Sequence, residues 1–293
     1  MIESKLTHHL LSLCPADAGR ATFAHPFIAA VGKGTISPAR LEAWLAQDRH
    51  YILRGYLPLM GSMLARVPLP TPSQGHSRSA GLGPQSEESR LYFRTMQILS
   101  GAVANAVREA GFFEKTAEEA GFDLSVGPLR VSGAETGTDE ETPAAGIIAS
   151  QTQQAQVSPA YPISNETDAY LNFMSRMAHT GTFLEQLTLL WAMEILYYRA
   201  WSQAASNRAK LPASASSTFT EAQSTALSAL INNWSSAEFA HFVEELGDLL
   251  DVYGGNGDFS RLPGDELARV QQVWRQTVWL ETQFWYAGRG TDL

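Results

Sequence analysis

Where hydrophobic and polar residues alternate along this chain, they do so with the period of a helix. The clearest stretch is FLEQLTLLWAMEILYYRAW, Phe183–Trp201. Thr182 just before it and Glu185 within it stand at capping-box spacing and predict a helix start. Leu187, Leu190, Trp191, Glu194, Tyr198 and Trp201 then form one apolar, aromatic stripe. A second stripe follows Ser37, an N-cap with Pro38 in the first turn, and comprises Leu41, Trp44, Leu45, Asp48, Tyr51 and Ile52. Pro58 is expected to kink that helix or divide it from the next.

The same pattern predicts a short helix over His25–Val31 ending at Gly32-Lys33-Gly34. It predicts a helix from Glu87 through Phe113, with a shorter one over Glu114–Ala120. Another begins at Asn165 or Thr167 and carries Tyr170, Phe173, Met174 and Met177. A further one starts at Glu221, and Ser235 with Glu238 suggests a second capping box just after Trp234. The last begins near Asp265 and stops at Gly288. No alternating run reads as a strand, and no repeat occurs. The expectation is one all-α domain over residues 1–293, built of about seven to eight helices. Stretches rich in Pro, Gly, Ser and other polar residues near 68–85, 127–159 and 205–220 read as loop insertions.

Composition narrows the function classes. The formal net charge is −9 and no Lys/Arg cluster stands out, which argues against a nucleic-acid partner. No apolar run is long enough to span a bilayer, so no membrane role is expected. The N-terminal residues do not read as a secretory leader. Cys14 is the only cysteine, so no disulfide forms within the molecule and a cytoplasmic location is the simplest assumption.

Three acids stand inside aromatic helix faces: Asp48 beside Trp44 and Tyr51, Glu194 in the central stripe, and Glu281 among Thr277, Val278, Phe284 and Trp285. Taken alone, each is as readily a structural anchor as a functional group. Three together suggest a pocket for a flat polar ligand, with raised carboxyl pKa values suited to proton transfer. Tyr51, Tyr170, Tyr197 and Tyr198 supply hydroxyls, although core packing explains each one singly. Glu238-x-x-His241 has the spacing of a di-iron ligand pair, but it occurs once and its Glu already fits a cap.

Three segments resemble the TenA, or thiaminase-II, family: HPFIAAVGKGTISPARLEAWLAQDRHYI, TGTFLEQLTLLWAMEILYYRAW and LETQFWYAG. The resemblance runs from about Thr22 to Gly288 and implies a heme-oxygenase-like helical bundle, usually a homotetramer. Met193 stands where many members carry a nucleophilic cysteine, and Glu194 follows it, as in the branch where a glutamate takes over that role. Trp234 stands where cysteine-type members place a tyrosine.

The resemblance implies a cofactor-free aminopyrimidine hydrolase, deaminating or deformylating, in thiamine pyrimidine salvage, assembled as a tetramer or dimer. Glu281 and Glu194 would be catalytic. Asp48, Tyr51, Tyr170, Trp234, Phe284 and Tyr198 would bind the pyrimidine, and no metal is implied. Two alternatives stay open. One is a non-catalytic protein that binds a pyrimidine or related heterocycle. The other is an oxygen-using enzyme of the same fold with heme or di-iron.

Overall fold

The computed structural model describes residues 4–70, 86–124, 161–212 and 218–289. These form α-helices and their connections, with no strand among the described residues. The stretch 127–159 and most of 68–85 lie outside the described residues.

Two short helices that the hydrophobic pattern did not announce open the fold: α1 (Leu6–Ser12) and α2 (Pro15–Ala21). Leu6 and Leu10 are fully buried, and Asp251 ties α1 down by accepting from the Thr7 amide and hydroxyl at 2.9 and 3.0 Å. Helix α3 (Pro26–Lys33) is capped by the His25 ring, which accepts from the Phe27 amide, and it ends at Gly34 with φ 66°. Helix α4 (Pro38–Tyr51) starts at Ser37, whose side chain accepts from the Arg40 amide.

Pro58 stands where the chain passes from α4 to the next helix. The backbone passes through a π-helical turn, Ile52–Tyr56, and continues as α5 (Leu57–Leu64), with Pro58 in its first turn. Proline offers no amide to the preceding turn, and the backbone bridges this point with a wider i→i+5 bond from the Leu57 amide to the Ile52 carbonyl. Helix α6 runs unbroken over Glu87–Ala120, without the division expected after Phe113. Gly111 lies within it, and a glycine in a helix costs about 1 kcal/mol but does not end it.

Helices α7 (Asn165–Thr180), α8 (Phe183–Ala209), α9 (Glu221–Trp234), α10 (Ala237–Tyr253) and α11 (Gly264–Phe284) complete the fold. The capping box of Thr182 and Glu185 is present at the start of α8. That helix extends past Trp201 to Ala209, into the segment read from sequence as an insertion at 205–220; residues 213–217 of it lie outside the described residues. Ser236, not Ser235, caps α10, while the Ser235 hydroxyl donates back to the Ile231 carbonyl.

Helix α8 is the axis of the molecule. Every residue from Phe183 to Glu194 is buried, so its first half is enclosed on all sides rather than along one stripe. Its neighbours are α3, α10 and α11, with α9 also against it. Gly32 lets α3 come close: a Cβ there would sit 2.7 Å from the Ala204 carbonyl oxygen. Buried Gln47 joins α4 to the start of α7, accepting from the Ser164 amide at 2.9 Å and the Thr167 hydroxyl at 2.8 Å. These contacts fix the azimuths of α4, α7 and α8, and hence where Asp48, Tyr170 and Glu194 point.

Candidate active site

Asp48 leaves α4 with 2 % of its surface exposed, and the Tyr197 hydroxyl on α8 donates to its Oδ2 at 3.1 Å. Glu194, one turn before Tyr197, is 8 % exposed. The two carboxyls line one small cavity of about 50 Å3, room for a few waters. Tyr51, Tyr56, Tyr197 and Trp234 supply its aromatic wall, with Met193 beside them. The Tyr51 hydroxyl donates to Met193 Sδ at 2.9 Å. Behind this wall stands a cluster of rings: Trp44 stacks on Trp285 at 5.4 Å, and Trp201 lies 4.5 Å from Trp234.

The electrostatics follow from this enclosure. Burial pushes the Glu194 carboxyl up to about 8, opposed by a hydrogen bond from Tyr56 and reinforced by Glu109 and Glu281. Burial likewise raises Asp48 well above the carboxylate range, opposed by the Tyr197 hydroxyl. No Lys or Arg is among the residues lining the cavity. Among the described residues the site is therefore acidic and without a built-in counter-ion, an arrangement that favours a protonated amine as ligand.

Glu281 lies behind the cavity, not on its surface. Its Oε1 accepts from the Tyr170 hydroxyl at 2.6 Å, and its Oε2, also buried, has no hydrogen-bond partner. Burial raises its pKa to about 8, with the Tyr170 hydrogen bond opposing. The Tyr170 ring meets Tyr51 edge-on at 5.1 Å. Glu281 thus holds Tyr170, whose ring packs on Tyr51 of the lining. Phe284 packs against Tyr51 at 5.2 Å, one layer back from the lining.

Tyr198, a candidate from the sequence, does not line the cavity. Its ring points to Phe239, 6.0 Å away, and it is absent from the lining, whereas Tyr197 is the α8 tyrosine that meets Asp48. Neighbouring residues on a helix differ in direction by about 100°, so the pattern alone did not separate the two.

Glu109, on α6, is the site residue that sequence reasoning missed. Its Oε1 accepts from the Trp234 indole N–H at 2.7 Å and from the Asn233 amide at 3.0 Å. No apolar stripe marks it, for Arg108 and Glu109 read as a solvated helix face. Glu238 and His241 stand exposed on α10, and no group of three His, Cys, Asp or Glu that could hold a metal ion occurs among the described residues.

The family model described as TENA/THI-4/PQQC matches residues 16–68 and 142–290. The chain belongs to that family. Solved TenA-type structures share its fold. A TenA homologue from Pyrococcus furiosus superposes with a TM-score of 0.65 at 19% identity, over 98% of this chain and 100% of that one. A TenA family transcription regulator from Silicibacter gives 0.63 at 17% identity, over 98% and 99%. A probable transcription factor of Fusarium pseudograminearum is 28% identical, over 88% of this chain and 47% of that protein. The chain spans about half the length of this curated relative. Among the described residues the regular secondary structure is all helical, and no helix is long and apolar enough to cross a membrane.

Proposed function

We propose that this TenA-family protein is a hydrolase of the thiaminase-II type, acting on the exocyclic carbon–nitrogen bond of an aminomethyl-pyrimidine released from thiamine. The observation that carries the reading is the pair Asp48 and Glu194, brought from α4 and α8 onto one aromatic-walled cavity whose lining includes no cation. The tyrosines and Trp234 suit a planar heterocycle, and Asp48 suits its amino edge.

Glu194 stands where the branch with a glutamate in place of the cysteine would need it, directly after Met193. Protonated when the site is empty, it would lose its proton as a substrate ammonium enters. The carboxylate then takes a proton from water. The water oxygen bonds to the exocyclic methylene carbon, that carbon's bond to nitrogen breaks, and the nitrogen leaves as ammonia with the electron pair of that bond and the three hydrogens of the ammonium. Glu281 would return protons through Tyr170 and Tyr51, a relay in place of direct contact with the leaving group. For a formylated substrate the same groups would serve attack on the amide carbon instead. The reading includes assembly as a homo-oligomer, which light scattering on the eluting protein would measure.

The test is mass spectrometry of protein incubated separately with aminomethyl-aminopyrimidine, its N-formyl form and thiamine. Hydroxymethylpyrimidine from the first, lost in Glu194→Gln, is the expected result. Binding without product from any of the three would replace the hydrolase by a pyrimidine-binding protein.

A further inference from the structure

A third carboxyl lines the inner cavity beside Asp48 and Glu194, that of Glu109 on α6, and none of the steps above uses it. Its plain reading is an anchor for Trp234. Its Oε1 accepts from the Trp234 indole N–H at 2.7 Å and from the Asn233 side-chain amide at 3.0 Å. That reading leaves the charge unexplained. Packing already holds Trp234: the rings of Trp201, Tyr197 and Phe113 stand 4.5, 5.3 and 5.4 Å from its own. Both donors need only an acceptor oxygen, and a glutamine amide supplies one without the desolvation cost of a buried acid.

The three carboxyls differ in what supports a negative charge. Asp48 receives a hydrogen bond from the Tyr197 hydroxyl, and Glu194 one from Tyr56. Glu109 receives two N–H bonds, and Arg108, next to it on α6, adds a favourable charge through space. Arg108 itself is exposed, faces Glu238 at 4.0 Å and is not among the lining residues. Burial raises all three acids, but only at Glu109 do three groups oppose it. A charge there also pushes Asp48 and Glu194 toward their neutral forms.

We infer that Glu109 is a specificity-determining residue of the cavity, carrying the negative charge that separates a cationic planar ligand from a neutral one of the same shape. On the hydrolase reading, on which this consequence rests, the two ligands are substrate and product. The aminomethyl compound enters as an ammonium, its nitrogen departs as ammonia, and the hydroxymethyl compound left behind is neutral. The charge that retains the first gives no hold on the second, so turnover itself loosens the grip of the site.

The test is calorimetric titration with two pairs of probes. One is aminomethyl-aminopyrimidine with its hydroxymethyl counterpart. The other is benzylammonium with benzyl alcohol, which needs no recognition of a pyrimidine. The wild-type protein is expected to bind the cation of a pair at least about tenfold more tightly than the alcohol. Glu109→Gln keeps an acceptor for Trp234 and Asn233. It is expected to weaken the cation about tenfold and to leave the alcohol within about twofold, so the neutral probe also reports an intact site. Glu109→Ala removes the acceptor as well and is expected to weaken both. A preference in either pair that Glu109→Gln removes supports the inference. An undiminished preference in that variant, or equal losses for cation and alcohol, makes Glu109 an anchor and overturns it. Absence of any preference in the wild type, or of binding by all the probes, overturns it too. Product analysis of the same samples keeps the two readings apart. Charge preference lost in Glu109→Gln, with no product from the wild type, retains Glu109 and removes the hydrolase; product with an undiminished preference does the reverse.

Discussion

The hydroxyl of Tyr197 donates to Oδ2 of Asp48 at 3.1 Å, across the contact between α8 and α4. It is the hydrogen bond that favours the ionised form of a carboxyl otherwise pushed toward neutrality by burial. Tyr197→Phe keeps the ring stacked on Trp285 and removes only this donor. Stability is expected to drop by about 1 kcal/mol, and turnover of the aminopyrimidine by about tenfold, with the acid limb of its pH profile moved upward. Denaturant titration and a pH–rate profile read both effects. An unmoved acid limb would mean that Asp48 does not act in its ionised form.

Glu194 and Glu281 contribute to the pH dependence of folding, in the same direction as Asp48 and Glu109, whose carboxyls burial also raises. The first two each hold a proton to about pH 8 in the folded protein, against an ordinary value of 4.5. Between those values the folded state binds more protons than the unfolded one, so stability decreases as pH rises. The contribution is full below pH 4.5 and gone above pH 8. Glu194→Gln is expected to reduce the slope by about 1 kcal/mol per pH unit, leaving the Glu281 share. Urea midpoints at several pH values across that window test this, and parallel curves for variant and wild type would contradict it.

Tyr170→Phe separates a proton relay from simple packing. Without its hydroxyl, both oxygens of buried Glu281 lack a donor, which is expected to cost about 1–3 kcal/mol. A relay additionally predicts a fall in kcat with KM nearly unchanged, because Tyr170 does not line the cavity. A rise in KM alone would place Tyr170 in binding instead.

Gly32→Ala tests the seat of α3 on α8. The added methyl would meet the Ala204 carbonyl oxygen at 2.7 Å and the Asn207 Cβ at 2.7 Å, a collision with backbone that no rotamer relieves. A loss of about 1–3 kcal/mol in thermal or denaturant unfolding is expected, and Gly61→Ala, where a Cβ meets nothing within 4 Å, serves as the neutral control.

Much of this was legible before any coordinates. Local signals have local causes: the Thr182–Glu185 capping box, Ser37 before Pro38 and the buried stripe around Glu194 all depend on residues within a turn or two of one another. What escaped depends on tertiary azimuth. Tyr197 and Tyr198 are adjacent, and only the packing of α8 against α4 decides which one reaches Asp48. Ser235 and Ser236 both fit the cap until the end of α9 claims the first. Glu109 looks solvated because its partners, Asn233 and Trp234, are more than a hundred residues away in sequence.

The π-helical turn at Ile52–Tyr56 carries a consequence for how this cavity can change in descent. In an α-helix, five steps of about 100° would leave Tyr51 and Tyr56 facing well apart. The widened turn brings both onto one cavity. A single codon lost from that segment would leave four α-helical steps, about 400°, in place of the five widened ones, so a regular helix would hold the same two rings on one face. Lineages carrying that deletion would keep the same cavity wall without a π-helical turn, whereas a regular α-helix of unchanged length would take Tyr56 away from Glu194; helix type and residue count here go together.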